Sequence, residues 1–371
     1  MIQRFFHPVG QEAFYSERHI QHDINIVYDC GTTNKKNISG LVRQSFGEKD
    51  VIHILFISHF DFDHVSLIDI LKKARKIERV VIPLLHDEGK WVLSNVYKAL
   101  GEPRLANLVN NPNDFFGEET QIISVLPLAE NEVREREPLN VSERREPIQI
   151  PSGTPLTLQK GYNWVFVPYN YDYQSRNKEF LENIEKNGID IKRLKTDPDY
   201  ILSPNVKNTI KKIYKSLSGG INQNSMFLYS GPFRRDSHVH YRRRVSCWRR
   251  EYCCYDYCYF HRHLLCNHFF DPDRVACLYT GDGDLNKVNV RTEYNQYWDF
   301  IGTIQIPHHG SLPSFDENVL EGEQFLCPIS VGKNNSYGHP SQEVISRILS
   351  HGSCPILVTE DIDSTFVEVI E

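Results

Sequence analysis

The 371-residue chain contains no segment near the roughly 18 to 20 consecutive apolar residues that cross a bilayer, and its opening MIQRFFHPVGQEAF lacks the apolar core of a secretion signal. These two absences predict a cytoplasmic chain without a membrane partner. A global positive field is also lacking. The 42 Lys and Arg stand against 48 Asp and Glu, so the formal charge is −6 and any nucleic-acid contact must be local. There is no internal repeat of fixed period, which speaks against a solenoid or propeller. The nine cysteines are not scattered core residues, because five lie between Cys247 and Cys266. In an intracellular chain such a group predicts thiols or metal ligands before disulfides.

What the chain does have is Ser58-His59-Phe60-Asp61-Phe62-Asp63-His64, two imidazoles and two carboxylates in one short turn. Before it, Val51 to Ile57 (VIHILFI) is the apolar, β-branched run of a strand covered on both faces. After it, Leu67, Ile70, Leu71 and Ala74 recur at helical spacing. The turn therefore sits where a strand gives way to a helix, and several side chains can converge on one point. His with Asp is a ligand set for paired divalent cations that activate water. Packed this tightly, such groups would repel or hold protons without a cation. A plainer reading makes the turn a polar loop in which Asp63 caps the following helix.

Strand signals dominate both ends of the chain. They cover Asn25 to Asp29, Val51 to Ile57 and Arg79 to Leu85, then Ser225 to Tyr229, Val275 to Tyr279, Thr303 to Ile306, Gln324 to Val331, Pro355 to Val358 and Thr365 to Ile370. Gln342 to Ser350 reads as a helix. From about residue 100 the pattern loosens: Glu130 to Pro147 is a charged, solvated excursion, Gly161 to Pro168 resumes a strand, and Asp172 to Pro204 is polar with scattered Tyr. Val206 to Leu217 reads as a basic amphipathic helix ending at Gly219-Gly220.

Three strands of the carboxy half run into further chemistry. Val275 to Tyr279 leads to Thr280-Gly281-Asp282-Gly283-Asp284, where Asp282 could bridge two cations. Thr303 to Ile306 leads to Pro307-His308-His309-Gly310-Ser311, an imidazole pair before a glycine. Gln324 to Val331 leads to Gly332-Lys333-Asn334-Asn335-Ser336-Tyr337-Gly338-His339-Pro340, a loop able to place donors around an anionic oxygen. Each alone is a common surface feature. Their joint placement after successive strands points to one site.

In this order the motifs resemble the metallo-β-lactamase superfamily, and within it the branch typified by the hydrolase domain of the DNA-uptake protein ComEC. His59, Asp61, Asp63 and His64 reproduce that branch's His-x-Asp-x-Asp-His, where most relatives have His-x-His-x-Asp-His. Pro8-Val9-Gly10-Gln11 with Ala13, then Tyr28-Asp29-Cys30-Gly31, resemble its opening hairpin, and Asn222-Gln223-Asn224-Ser225 resembles its Asn-rich turn. The resemblance runs from about residue 6 to 342 and finds no counterpart for about 100 to 220 or about 232 to 274.

The resemblance implies one domain over 1–371, an α+β fold built as a four-layer αββα sandwich, with those two stretches as insertions. Carried over by position, His59 and Asp61 would help hold one metal, Asp63 and His64 the other, and Asp282 would bridge them. His309 would be the remaining protein ligand. His308 beside it would support a ligand or face substrate. His339, with Lys333 near it, would bind a scissile phosphate or protonate the leaving oxygen, so the catalytic set is Asp63, His308, His339 and Lys333. The family usually supplies one more ligand from the turn before a core strand, and Asn222 to Ser225 offers no His. Asp61 in place of an imidazole hardens the ligand field, so manganese or magnesium stands beside zinc.

A second unusual stretch runs from Arg234 to His268. Arg234, Arg235, Arg242, Arg243, Arg244, Arg249 and Arg250 form a local basic patch, with Arg242, Arg243, Arg244, Arg249 and Arg250 the candidates for nucleic-acid contact. Cys253, Cys254, Cys258, His261, His263, Cys266 and His268 follow among tyrosines, and Cys258-x2-His261 and His263-x2-Cys266 have spacings a tetrahedral structural zinc could use. Arginine interleaved with aromatics suits a single strand, by phosphate contact and base stacking. The plainer alternatives are a solvated hairpin with free thiols or a contact surface for another protein.

Three functions follow as expectations. The first is a metal-dependent phosphodiesterase or nuclease acting on DNA through water activated by two metals, in a bacterial defence role against foreign DNA. The second is a hydrolase of a small ester, lactone, thioester or cyclic nucleotide, because the same centre serves many substrates. The third is a partner-activated or non-catalytic metal-binding subunit.

Overall fold

The computed structural model describes residues 1–32, 35–128, 136–143, 146–171, 175–197, 200–216, 225–236, 241–247, 271–335 and 338–371. The chain enters through an antiparallel meander of β1 (Ile2–Phe6), β2 (Phe14–His19) and β3 (Ile24–Cys30). Next come α1 (Lys35–Gln44), β4 (Val51–Ile52), β5 (Ile54–Phe56), α2 (Phe62–Val65), α3 (Ile68–Ala74), β6 (Lys76–Ile77) and β7 (Arg79–Pro83). Helices α4 (Asp87–Leu100), α5 (Pro103–Asn110) and α6 (Pro112–Phe116) precede β8 (Gln121–Val125), β9 (Leu139–Asn140), β10 (Ile148–Ile150), β11 (Leu156–Thr157) and β12 (Val165–Asn170). A helical excursion of α7 (Ser175–Lys186), α8 (Ile191–Thr196) and α9 (Pro204–Ser216) leads to β13 (Met226–Gly231) and β14 (Arg243–Cys247). The chain closes with β15 (Ala276–Tyr279), α10 (Val290–Glu293), β16 (Ile301–Ile304), β17 (Leu326–Ser330), α11 (Gln342–Ser350), β18 (Cys354–Val358) and β19 (Phe366–Ile370).

Two large sheets result. The first has nine strands in the order β10-β8-β7-β5-β3-β2-β1-β19-β14, parallel from β10 to β3 and antiparallel beyond. The second has eight in the order β18-β17-β16-β15-β13-β12-β11-β9, with β15 to β18 parallel. Side-chain alternation explains the layering. On β3, Ile24, Ile26 and Tyr28 enter the core between the sheets while Val27 faces the helices, and the positive φ of Asp29 then breaks the alternation so that Cys30 also packs on the helix side. On β5, Ile54 and Phe56 point inward and Leu55 and Ile57 outward. The second sheet repeats the scheme, Leu228 and Tyr279 facing inward and Tyr229 and Leu278 outward. Helices α1 and α3 to α6 cover the outer face of the first sheet, and α10 and α11 that of the second. The architecture is the αββα sandwich of the α+β class. Among the described residues no helix is long and apolar enough to cross a membrane.

Several expectations change in detail. Val51 to Ile57 is not one strand: the chain breaks at His53, Val51–Ile52 pairs with Lys76–Ile77 in a separate ribbon, and only Ile54–Phe56 joins the first sheet. Within the stretch of about 100 to 220 expected as irregular or helical insertion, β8 is an integral parallel neighbour of β7. Its five residues, QIISV, give too short an apolar run to stand out in the sequence. The polar stretch after Asp172 carries α7 and α8. In the stretch of about 232 to 274, β14 becomes the edge of the first sheet. Register puts its Arg243 level with Ile370, and Ile370 level with Ile2, His19 and Ile24, the end of the sheet opposite Cys30.

Candidate metal centre

The parallel strands of each sheet deliver their carboxy-terminal loops to one edge of the sandwich. β3 ends at Asp29 and Cys30, β5 runs into the turn at His59 to His64, and from the other sheet β15, β16 and β17 run into the loops at Asp282, His308 and His339. Close approach is built in by glycine at two points. A Cβ on Gly31 would lie 2.0 Å from the carbonyl oxygen of Asp63, so no larger residue lets β3 pass the turn. Gly281 has φ +55°, and a Cβ there would lie 2.4 Å from Ser225 Oγ. Asp29, His308 and His309 adopt φ of +55°, +47° and +56° without being glycine, a strain of about 1–3 kcal/mol each of the kind that gathers at functional sites.

The loops meet around Asp282. Its Oδ1 lies 3.3 Å from His64 Nε2, and its Oδ2 lies 3.8 Å from His59 Nε2 and 4.0 Å from His308 Nε2. Asp61 Oδ2 is 3.7 Å from His59 Nε2, while Asp63 Oδ2 is 3.6 Å from His309 Nε2 and 3.9 Å from His64 Nε2. Ligand atoms of Asp63, His64, Asp282 and His309 all fall within 4.8 Å of one another. The carboxylates are not spent on helix capping, because Asp61 stands at the amino end of α2 with no side-chain capping bond and Asp63 lies inside the helix.

Supporting hydrogen bonds fix the imidazoles. The Ser58 hydroxyl donates to Asp29 Oδ2 at 2.6 Å, so its oxygen accepts from His59 Nδ1 at 2.8 Å. His64 Nδ1 donates to Asp29 Oδ2 at 2.8 Å, and His309 Nδ1 donates to the Ser330 carbonyl at 3.1 Å. All three rings therefore turn Nε2 toward the cluster, the tautomer a metal ligand needs. His59 Nε2 and His64 Nε2 are buried without a hydrogen-bond partner. Asp282 is positioned through its backbone, whose N–H donates to Ser225 Oγ at 3.1 Å, while Gln305 Oε1 accepts from the N–H groups of Thr280 and Gly281, each at 2.9 Å. Ser225, the one described residue of the turn from which the resemblance expects a further ligand, instead supports the Asp282 backbone.

Charge balance agrees with a cation. Burial opposes charge on His64, but Asp282, Asp63 and Asp29 together outweigh it and hold its pKa well above the ordinary imidazole value. On Asp282, burial is outweighed by His64 and His308, and the pKa falls well below the carboxylate range. His59 goes the other way, lowered to about 3 by burial and then by His64, so it is a neutral donor. A field that draws a proton between these carboxylates also draws a divalent ion, and the mixed N/O donor set fits one.

The other sequence candidates separate. His308 contacts Ser314 Oγ through Nδ1 at 3.2 Å, and its ring centroid lies 5.8 Å from that of half-buried His339. Burial, then His308 and His309, lower the His339 pKa. Lys333 does not join His339: its ammonium pairs with Asp361 at the surface. Arg243 is not part of a basic surface. It is buried, 3.1 Å from Thr303 Oγ1 and 3.5 Å from Glu368, because alternation on β14 turns it inward while Arg242 and Arg244 face out. Asn222 to Asn224, Ser336, Tyr337, Arg249, Arg250, Cys253, Cys254, Cys258, His261, His263, Cys266 and His268, and with them the expected structural zinc, lie outside the described residues. Sequence reasoning did not assign Asp29, Ser58, Ser225 or Gln305 to the site. Asp29, Ser58 and Ser225 lay within the quoted motifs Tyr28 to Gly31, Ser58 to His64 and Asn222 to Ser225 without a role of their own, and Gln305 carried no motif.

The family model of the metallo-beta-lactamase superfamily matches residues 20–149. The matched stretch holds β3, the His59 to His64 turn and the parallel half of the first sheet. Asp282, His308, His309 and His339 lie beyond it and reach the centre through the fold. Among curated proteins there is no match to the chain. The matched model, the sandwich and the Asp/His cluster together indicate a metal-dependent hydrolase.

Proposed function

We propose that this chain is a metal-dependent phosphodiesterase that cleaves DNA, akin in chemistry to the uptake-linked hydrolase domain it resembles and working against foreign DNA. The observation that carries the reading is the division of labour at Asp282, with one oxygen facing His64 and the other facing His59. That arrangement suits two cations, one held by His59 and Asp61, the other by Asp63, His64 and His309, with Asp282 shared. Manganese, magnesium and zinc are the candidates, and the oxygen of Asp61 in place of an imidazole favours the harder two. Divalent cations held there would supply a water that ionises near neutral pH and would offset charge on phosphoryl oxygens.

The chain's own residues do the rest. Ser58 and Asp29 keep His59 and His64 in the donor tautomer, so neither ring has to reorganise. His308 and His339 stand together at the partly open side of the cluster, where they can contact a phosphoryl oxygen or pass a proton to the departing one. The deciding experiment incubates the purified chain with linear, circular and single-stranded DNA and with small carboxylic and phosphoric esters, each with manganese, magnesium or zinc. Cleavage of DNA is the expected outcome. Turnover of a small ester, lactone, thioester or cyclic nucleotide with DNA intact would replace the reading by the second function. Bound metal with nothing turned over until a partner is added would favour the third.

A further inference from the structure

We infer that α9, and not the arginines of β14, is the surface that grips the DNA backbone beside the metal centre; this rests on the DNA-cleaving reading and names the residues that serve it. Position is the first argument. The excursion carrying α7 to α9 leaves the second sheet after Asn170, which pairs with Met226, and returns at Ser225, whose hydroxyl holds the Asp282 backbone. The N–H of Met226 donates to the Ser58 carbonyl at 2.8 Å. Both ends of the excursion are thus rooted at the edge where the ligand loops gather. Helix α4 ties it down a second time. The Tyr97 hydroxyl donates to the Phe60 carbonyl inside the His59 to His64 turn, and Val92, Val96 and Ala99 of the same helix pack in one apolar cluster with Val206, Ile210 and Ile213 of α9.

Charge is the second argument. Helix α9 reads PNVKNTIKKIYKS, with lysine as its only charged residue type, in a chain of net charge −6. Its apolar face is taken by Val206, Ile210 and Ile213, which leaves Lys207, Lys211 and Lys212 on the solvated side. Lys207 and Lys211 stand one turn apart, about 6 Å along the axis. None of these three lysines has a carboxylate within ion-pair distance among the described residues. Like charges at i,i+4 oppose a helix, an effect that a row of phosphates reverses.

The alternative surface is poorly placed. Arg243 is buried, Arg244 pairs with Glu371 at 3.1 Å, and the register puts Arg243 at the end of the first sheet opposite the metal-ligand loops. Seven residues of β3 separate the two ends, about 20 Å of strand.

The test measures initial rates of manganese-dependent cleavage of a single-stranded oligonucleotide by the full chain, as log kcat/KM against log[KCl]. Replacing the three lysines (K207Q, K211Q, K212Q) should raise KM by more than it lowers kcat, and should flatten the salt slope by about 2, at about 0.7 for each phosphate no longer neutralised. The charge-preserving variant K207R/K211R/K212R should restore the parental slope, which a purely structural role for the side chains would not require. Arg242→Gln with Arg244→Gln should keep that slope. A parental slope in the glutamine variant, or a flattened one only in the arginine-to-glutamine pair, overturns the inference while leaving DNA cleavage standing. A parent that cleaves no DNA overturns both.

Discussion

Asp282 is held from three sides, by Ser225 and Gln305 through its backbone turn and by the imidazoles across the cluster. Replacing one of its oxygens therefore affects both halves of the centre at once. Asp282→Asn should abolish hydrolysis and lower the total bound metal per chain, measured by elemental analysis of dialysed protein. His339→Ala should behave differently, slowing turnover by about 10²- to 10⁴-fold, as for a missing proton donor, with metal content nearly intact. Loss of metal on His339→Ala would make that ring a ligand and not a substrate contact. At this scale the contiguous His59, Asp61, Asp63 and His64 were legible because the ligands are neighbours in sequence. The roles of Asp29, Ser58 and Ser225 were not, although all three lie in recognisable motifs, since they act across the fold through hydrogen bonds that leave no periodic trace.

At the scale of elements, the centre depends on how closely β3 passes the turn between β5 and α2. Gly31 donates its N–H to the Ala13 carbonyl at 2.9 Å while its Cα faces the Asp63 carbonyl. Gly31→Ala should cost about 1–3 kcal/mol from overpacking against backbone and should displace Asp63. A thermal melt together with metal titration checks both effects, and an unchanged melt with parental affinity would show that the turn gives way freely. The long apolar strands and α11 were readable from alternation and from helical spacing. The break at His53 was not, because whether VIHILFI stays in one sheet is decided by its neighbours: the Asn25 carbonyl accepts from the His53 N–H at 2.8 Å and Lys76–Ile77 captures Val51–Ile52. Likewise β8 has an ordinary five-residue run, and only its pairing with β7 makes it a core strand.

The whole molecule is held together across its two sheets by a buried ionic network as well as by apolar packing. Arg4 lies in register between Glu17 and Glu368, bonded to them at 2.7 and 2.8 Å, and also donates to the Val275 carbonyl of the opposite layer. Ser230 and Tyr279 of the second sheet donate to Glu17 at 2.7 and 2.9 Å. Burial alone would raise the Glu17 pKa, but Arg4 and then His19 outweigh it and hold it below the usual carboxylate range. His7, buried against Phe14, is lowered to about 3 by burial and then by Arg18. Both groups bind fewer protons folded than unfolded, so each contributes stability that is complete above its unfolded value, 4.5 for Glu17 and 6.5 for His7, and is lost as pH falls below it. Urea midpoints should therefore decline from about pH 6.5 downward, and Glu17→Gln should cost about 3 kcal/mol at neutral pH by leaving Arg4 short of one partner. A urea midpoint that rises between about pH 6.5 and pH 4.5, below the range in which the raised pKa of His64 adds stability as pH falls, would contradict this network.

The sequence by itself determined the chemistry available and the places where it is offered: a His/Asp turn after an apolar strand, three further polar loops after later strands, and the alternation that makes two sheets bury each other. Those signals are local, carried by residues within a few positions of one another. Tertiary structure alone decided which loops meet, that Lys333 turns to Asp361 and Arg243 to Glu368, and that Ser225 holds the backbone of Asp282. These outcomes depend on strand register and on interactions between residues tens to hundreds of positions apart, and a one-residue shift of register reverses which face a side chain occupies.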